Sequence, residues 1–194
     1  MTNTSFLGRA IPGSILLGAL SILCGCGSGP PPRWYSLDAR PSGTARPSRC
    51  GIRVEHLTAA GALSRDEILV RTGPTEADYY ARDRWLEPPG ELVEEKLAAE
   101  FGPAGESAPV VVVEGTLRAF EQVDVPGGAE AHLLLGLAFR RPPAERSDEP
   151  LLRKSYEARV QADEPRPAAV ARALSRAVEK VAAEIAADAD RLSK

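Results

Sequence analysis

Residues 110–139 read VVVVEGTLRAFEQVDVPGGAEAHLLLGLAF, and this stretch decides the fold that we expect. The four valines begin a strand, and the apolar positions that follow extend it through Phe120 and Val123. The segment from Pro126 to Gly128 is a turn signal, and the apolar run from His132 to Phe139 returns from that turn. The stretch therefore predicts a long antiparallel hairpin.

Four other stretches predict further strands. From Cys50 to His56 apolar and polar residues alternate, which is typical of a half-buried strand. The runs from Ile68 to Val70 and from Ala77 to Ala81 are short candidates on either side of a Gly-Pro turn. The run from Leu151 to Val160 supplies the last strand. Together with the hairpin, these runs predict a mainly antiparallel sheet.

Two helices are predicted beside the strands. The first runs from Glu91 to Phe101 and places Val93, Leu97 and Phe101 on one face. The second runs from about Pro167 to Leu192, with apolar residues at steps of four and three. Its stripe comprises Val170, Leu174, Val178, Val181, Ile185, Ala189 and Leu192.

Such a stripe suits either a coiled coil or packing against a sheet. The neighbouring strands need a cover, which favours the sheet. We therefore expect the α+β fold class: a single domain over residues 34–194, with a mainly antiparallel sheet and two helices packed on one face. No internal repeat is evident.

The N-terminus has a short polar start from Met1 to Arg9, followed by an apolar stretch from Ile11 to Leu23. This stretch is shorter than the roughly 20 residues of a membrane-spanning helix and has the layout of a signal peptide. Residues 23–26 read Leu-Cys-Gly-Cys and resemble the bacterial lipobox, with a small residue just before Cys26. Cys24 fits this motif less well because a bulky leucine precedes it. We therefore predict that residues 1–25 are a lipoprotein signal peptide and that Cys26 is the lipidation site, the alternative being an ordinary signal peptide.

Cleavage before Cys26 has consequences for compartment and chemistry. Residues 26–33 become a lipidated cysteine and a Gly/Pro-rich tether, and two or three acyl chains hold a protein firmly to a membrane. The residue after the cysteine, Gly27, is not the aspartate typical of retention in the inner membrane, which favours an outer-membrane location facing the periplasm. Cys50 is then without a cysteine partner, and we expect it to be a small buried residue.

Composition and motifs argue against several functions. Removing Arg9 with the signal peptide lowers the formal net charge from −3 to −4, and no basic patch is evident, so nucleic acid is not an expected partner. His56 and His132 fall in strand-like runs without metal-ligand spacing. The sequence contains neither a nucleophile elbow nor a phosphate-binding glycine loop. We therefore expect no enzyme activity, no metal, and no cofactor other than the lipid on Cys26.

The most informative side chains are aromatic. Tyr79, Tyr80 and Trp85 lie within seven residues, although the chain has only ten aromatic residues. Two interpretations remain open: Trp85 and one tyrosine pack beneath the first helix, or the group forms a surface that faces a partner or lipid. Together with Trp34, which follows the tether, these residues are the candidate contact residues.

Several short motifs follow one another along the predicted mature chain. They are the lipobox at Cys26, Trp34–Asp38, Ile52–Val54, Leu63–Arg71, Tyr79-Tyr80, Arg84–Pro88 and the C-terminal helix. This order of motifs resembles the ABC-type transport auxiliary lipoproteins, the family that includes the lipoprotein of the paraquat-inducible operon. The resemblance covers nearly the whole mature chain, with two departures: Trp34, where the family has a tyrosine, and Ser64, where it has an aspartate.

The resemblance implies an accessory lipoprotein of a mammalian-cell-entry (MCE) type transport system. Its implied partners are an MCE-domain protein with its ABC permease and ATPase, and the implied cargo is phospholipid or another hydrophobic compound. The lipoprotein would be the docking or binding component at the outer membrane, and self-association into a homo-oligomer is a further candidate property. The alternative function is that of a structural lipoprotein for outer-membrane assembly or envelope integrity.

Overall fold

The computed structural model describes residues 30–43, 49–103, 110–142 and 149–193. The predicted signal peptide and the lipidation site, Cys26, therefore lie outside the described residues. The fold is that of one compact unit from Pro32 to Lys194.

The described residues form a seven-stranded sheet. Its strand order is β1-β4-β3-β5-β6-β7, with β2 also paired to β5. A short 3₁₀ helix, Gly61–Leu63, lies between β2 and β3. The strands are β1 Arg33–Tyr35, β2 Gly51–Ala59, β3 Glu67–Arg71, β4 Ala77–Trp85, β5 Val110–Val125, β6 Gly128–Arg140 and β7 Leu152–Gln161.

The predicted hairpin is confirmed by the pairing of β5 with β6. The two strands are antiparallel from Val112, opposite Arg140, to Val125, opposite Gly128. Gly127 in the turn has a φ of 85°, a left-handed conformation that glycine adopts without strain. β7 continues the antiparallel pairing along the other edge of β6.

The opposite edge of β5 is paired in parallel, which the sequence did not indicate. β2 pairs with the first half of β5 and β3 with its second half, because β5 is long enough to accept both strands end to end. β1 is also parallel to β4. The sheet is thus mixed, and its longest pairings are antiparallel.

Both helices lie on one face of the sheet, so the predicted α+β class is confirmed. Helix α1 is Pro89–Phe101 and packs on β2, while α2 is Pro167–Leu192 and packs on β6, β7 and α1. Each helix has proline in its first turn, where the fixed φ suits the helix and no backbone hydrogen bond is lost. Among the described residues, no helix is both long and apolar enough to cross a membrane.

The core lies between the helices and the sheet. The apolar stripe of α2 meets the side chains of β6 that point toward it, including Leu133, Leu135 and Phe139, all fully buried. Cys50 is buried in the same core, as expected. Because successive strand residues alternate between faces, the residues between these leucines point the other way.

Candidate functional site

The face of the sheet opposite the helices is the candidate site, and we call it the uncovered face. On β6 it carries His132, Leu134, Gly136, Ala138 and Arg140, which alternate with the core residues. In the part of the chain that the structure describes, both helices pack on the other face. Side chains on the uncovered face are therefore placed by the sheet register.

A row of charged side chains crosses the uncovered face from β3 to β7. Arg71 donates two hydrogen bonds to Glu121, from Nε to Oε1 at 3.1 Å and from Nη2 to Oε2 at 2.9 Å. His132 bridges two carboxylates, with Nδ1 3.2 Å from Glu121 Oε1 and Nε2 3.0 Å from Glu157 Oε1. Arg159 Nε donates to the same oxygen of Glu157 at 3.2 Å. We call these five residues the charged row.

The charged row holds strands together. Burial of Glu121 raises the pKa of its carboxyl, but the hydrogen bonds with His132 and Arg71 outweigh this effect, so the net pKa lies below its usual value. Glu121 is 3% exposed, and removing a partner from a buried carboxylate that a guanidinium and an imidazole hold is costly. Among the described residues, no group of three metal-ligating side chains is placed to hold a metal ion.

Next to the charged row, the uncovered face contains a cavity of about 440 Å³. Its floor follows one line of cross-strand neighbours, Thr58, Thr116, Gly136 and Ser155, on four adjacent strands. The floor is low because one residue of the line has no side chain and the others are small. Thr58 Oγ1 donates to the carbonyl of Gly115 at 3.1 Å and lies 3.2 Å from Thr116 Oγ1.

Arginines form the rim of this cavity. The guanidinium of Arg118 lies over Gly136, since a Cβ there would come within 3.0 Å of its Cζ, Nε and Nη2 atoms. Arg153 lies two residues before Ser155 on β7 and also lines the cavity. Among the described residues, neither arginine has a carboxylate within ion-pair distance. We call this the cationic cavity.

Trp85 is buried in the core of the domain. The indole is 1% exposed and its ring lies 4.9 Å from that of Phe120, so the packing alternative describes its position. A buried ring is not available to a partner in this structure. Its Nε1 atom has no hydrogen-bond partner among the described residues, so the side chain acts through its apolar bulk.

Tyr79 and Tyr80 are consecutive residues of β4, so their side chains point to opposite faces of the sheet, although both residues contribute to the lining of one cavity. Tyr79 is paired with Leu69, donates its hydroxyl hydrogen bond to the carbonyl of Ala62 at 2.9 Å, and has the guanidinium of Arg65 4.6 Å from its ring centroid. Tyr80 is half-buried on the other face.

The environment of Tyr80 is a second cavity, of about 630 Å³. The Tyr80 hydroxyl donates to Gln122 Oε1 at 2.9 Å, and Gln122 Nε2 donates to Asp124 Oδ1 at 2.6 Å. Burial raises the pKa of the Tyr80 hydroxyl, which therefore stays protonated at neutral pH. Tyr80 is therefore a hydrogen-bond donor at the wall of this cavity, and its role as a partner or lipid contact stays a prediction.

Trp34 is the one exposed member of the predicted aromatic group. It lies on the edge strand β1, is 51% exposed, and is paired with Arg84. Leu86, just after β4, is 61% exposed, and its amide donates to the carbonyl of Tyr35. These two apolar side chains therefore lie near the β1 edge of the sheet.

Sequence reasoning missed Arg118 and Arg153 because nothing nearby in the chain distinguishes them. The available signal was glycine inside a strand, which marks close approach of other groups. A Cβ on Gly115 would meet the carbonyl oxygen of Gly136 at 2.1 Å, and one on Gly136 would meet Arg118. The two glycines therefore pointed to this part of the hairpin.

Comparisons with known proteins agree with this fold. The sequence model of a family described as ABC-type transport auxiliary lipoprotein component matches residues 35–186. A crystal structure of a Xanthomonas campestris protein from the family model DUF330 superposes with a TM-score of 0.68 at 19% identity, over 82% of this chain and 95% of that chain. A second crystal structure, of an uncharacterized protein, superposes with a TM-score of 0.63 at 12% identity, over 82% and 99% of the two chains. A search of curated proteins finds no match to the sequence.

Proposed function

Because the chain belongs to the ABC-type transport auxiliary lipoprotein component family, we propose that it is the docking and binding lipoprotein of an MCE-type transport system in the bacterial envelope. The observation that carries the proposal is the family match, which spans most of the compact unit. The partners are an MCE-domain protein and its ABC permease and ATPase. The cargo of the system is phospholipid or another hydrophobic compound, and the location is the periplasmic side of the outer membrane.

The position of the anchor supports a role at a membrane surface. Trp34 is eight residues from Cys26, so even an extended chain of about 3.6 Å per residue spans only about 29 Å between them. Leu86 is exposed next to Trp34 on the same edge of the sheet. Exposed Trp and Leu side chains suit the interface between headgroups and acyl chains. We therefore place this end of the domain toward the bilayer and leave the remaining surfaces to partner proteins.

The proposed role is binding, with no enzyme activity and no cofactor beyond the lipid on Cys26. The five side chains of the charged row are all engaged with one another in hydrogen bonds or ion pairs. Such mutual pairing suits a structural tie between strands better than proton transfer to a substrate. In the proposal, the permease and ATPase supply the energy for transport.

The test is affinity purification of the tagged, lipidated protein from envelopes solubilised in mild detergent, with identification of the co-purified proteins by mass spectrometry. We expect an MCE-domain protein with its permease and ATPase. Recovery of outer-membrane assembly factors without any transporter subunit would contradict the proposal and favour the structural alternative.

The anchor is tested separately by cell fractionation. Cys26→Ala should accumulate as unprocessed precursor or as soluble protein, because no thiol remains for lipid attachment. Cys50→Ala is the matched control, since it removes the other cysteine of the predicted mature chain and should fractionate with membranes. Membrane association of both variants at the parent level would refute the anchor.

A further inference from the structure

The cationic cavity is built by the sheet and does not depend on a single loop. Its floor residues lie opposite one another on β2, β5, β6 and β7, so the backbone hydrogen bonds of the sheet fix their spacing. Gly136 occupies the middle of the line and keeps the floor open. Thr116 and Ser155 lie on either side of it. Because Thr58 gives its hydroxyl proton to the Gly115 carbonyl, the Thr116 hydroxyl donates to Thr58 Oγ1, and the Ser155 hydroxyl is the donor left for a ligand.

The charges around the cavity do not balance. Among the acidic and basic residues that line it, Glu114 is engaged by Arg140 at 2.8 Å, and Lys154 is engaged by Asp188 at 2.7 Å. Arg118 and Arg153 remain, and neither has an acidic partner among the described residues. This local excess of two positive charges occurs in a chain whose formal net charge is −3.

We propose that the cationic cavity binds a phosphate ester, with Arg118 and Arg153 holding the phosphate oxygens and the hydroxyl of Ser155 completing the site. A guanidinium presents several donors in one plane and pairs with two phosphate oxygens at once, which makes arginine well suited to this ligand. Two guanidinium groups nearly match a phosphomonoester, at about −1.5 to −2, and outweigh the single negative charge of a phosphodiester such as the phosphatidylglycerol headgroup. The cavity, of about 440 Å³, falls in the size range of small-molecule sites and leaves room for the group that the phosphate carries.

The phosphate chemistry rests on the geometry of the cavity alone. The choice of a lipid headgroup as one source of the phosphate rests on the proposed function, and the other source is a soluble phosphate in the periplasm. A test with purified protein separates this inference from the proposed function, because it requires no transporter subunit. Loss of the binding site would leave the result of the affinity purification unchanged.

The experiment measures binding by calorimetric titration of the mature, lipidated chain in neutral detergent. The probes are dihexanoyl-phosphatidylglycerol, dihexanoyl-phosphatidylcholine and inorganic phosphate. The test variant is Arg118→Gln/Arg153→Gln, and the matched control is Arg82→Gln/Arg172→Gln, which removes two exposed arginines elsewhere. Because the control changes the net charge by the same amount, it isolates the local effect from general attraction.

A second test variant keeps both charges and changes only the floor. Gly136→Val places a branched side chain where the guanidinium of Arg118 now lies, and Gly136 is not in a left-handed conformation that would exclude valine. If binding depends only on the positive charge of the surface, this variant binds the probes like the parent. If the cavity is a built site, the valine fills it and displaces Arg118.

We expect phosphatidylglycerol or inorganic phosphate to bind the parent and the control within about twofold of each other, and both test variants to bind at least about tenfold more weakly. Tighter binding of phosphatidylglycerol than of phosphate and phosphatidylcholine assigns the site to an anionic lipid headgroup. Equal or tighter binding of inorganic phosphate assigns it to a soluble phosphate. Absence of heat with every probe at about 1 mM, or equal weakening in the control, would overturn the proposal.

Discussion

Replacement of Trp85 by alanine should lower the free energy of unfolding, because it removes packing in the core. The indole is 1% exposed and lies against Phe120, whose side chain is fully buried. Truncation of a buried Trp to alanine removes its apolar contacts and leaves a cavity, which costs about 3–5 kcal/mol. In a domain of this length, 1 kcal/mol lowers the melting temperature by about 2–4 °C, so we expect a decrease of about 6–20 °C.

The assay is urea unfolding of the mature chain in neutral detergent, followed by far-ultraviolet circular dichroism. Trp34→Ala is the matched control, because it removes the same side chain from a position that is 51% exposed, and it should change the free energy of unfolding by less than about 0.5 kcal/mol. Trp85→Phe should cost less than the alanine variant, since the indole Nε1 has no hydrogen bond among the described residues to lose. Equal stability of the two alanine variants would refute the reasoning from burial. Normal stability of Trp85→Ala with loss of partner capture would place this ring at a contact surface instead.

Three other predictions concern the charged row, the buried Lys96–Glu100 ion pair of α1 and the apolar core. Glu121→Gln should reduce the loss of stability that the protein shows in acid. The native pKa of Glu121 lies below its usual 4.5, so its ionised form stabilises the fold above that pH, and this stabilisation is lost as the pH falls through the native pKa. Urea unfolding of parent and variant at pH 3–7 measures the difference. Lys96→Met should cost about 3–5 kcal/mol, because it leaves the carboxylate of Glu100, 2.7 Å from Lys96 Nζ, buried without its cation. Lys96→Met/Glu100→Leu should recover much of that loss, and a double variant no more stable than the single one would contradict this account. Leu135→Ala should cost about 2–5 kcal/mol in the same assay, because Leu135 is fully buried on the helix side of the sheet. The folded variant should still bind phosphate like the parent, and weaker binding would count against separate roles for the two faces.

The parts of the fold that follow from local periodicity could be predicted from the sequence. The β5–β6 hairpin has its turn signal and apolar runs within one continuous stretch, and α2 has a stripe that repeats over 26 residues. Register with distant strands has no such signal. The parallel pairing of β2 and β3 with β5 depends on contacts about 50 residues apart, and several arrangements would bury the same apolar side chains.

The candidate site was less accessible to prediction than the fold. Tyr79 and Tyr80 are neighbours in sequence, but a strand sends them to opposite faces. Trp85 lies on the core side of β4, where a bulge relative to β3 changes the alternation that the sequence suggests. Arg118 and Arg153, in contrast, are 35 residues apart and line one cavity only because β6 lies between their strands. The strand glycines indicate that part of the hairpin, but the residues of a site formed across four strands can be identified only once the register is known.

The hairpin that decides the fold also separates two roles, core packing on the helix side of the sheet and polar contacts on the uncovered face. On β6, Leu133, Leu135 and Leu137 face the helices and are buried, while His132 and Gly136 face the other way and contribute to the charged row and the cationic cavity. Packing on the helix side fixes the strands, and the charged row ties four of them together on the uncovered face. The sheet consequently fixes where the two arginines start around the cavity, and a bound ligand would have to order only their exposed side chains. In this way a chain with a negative net charge would keep the proposed anion site at a fixed place on the sheet.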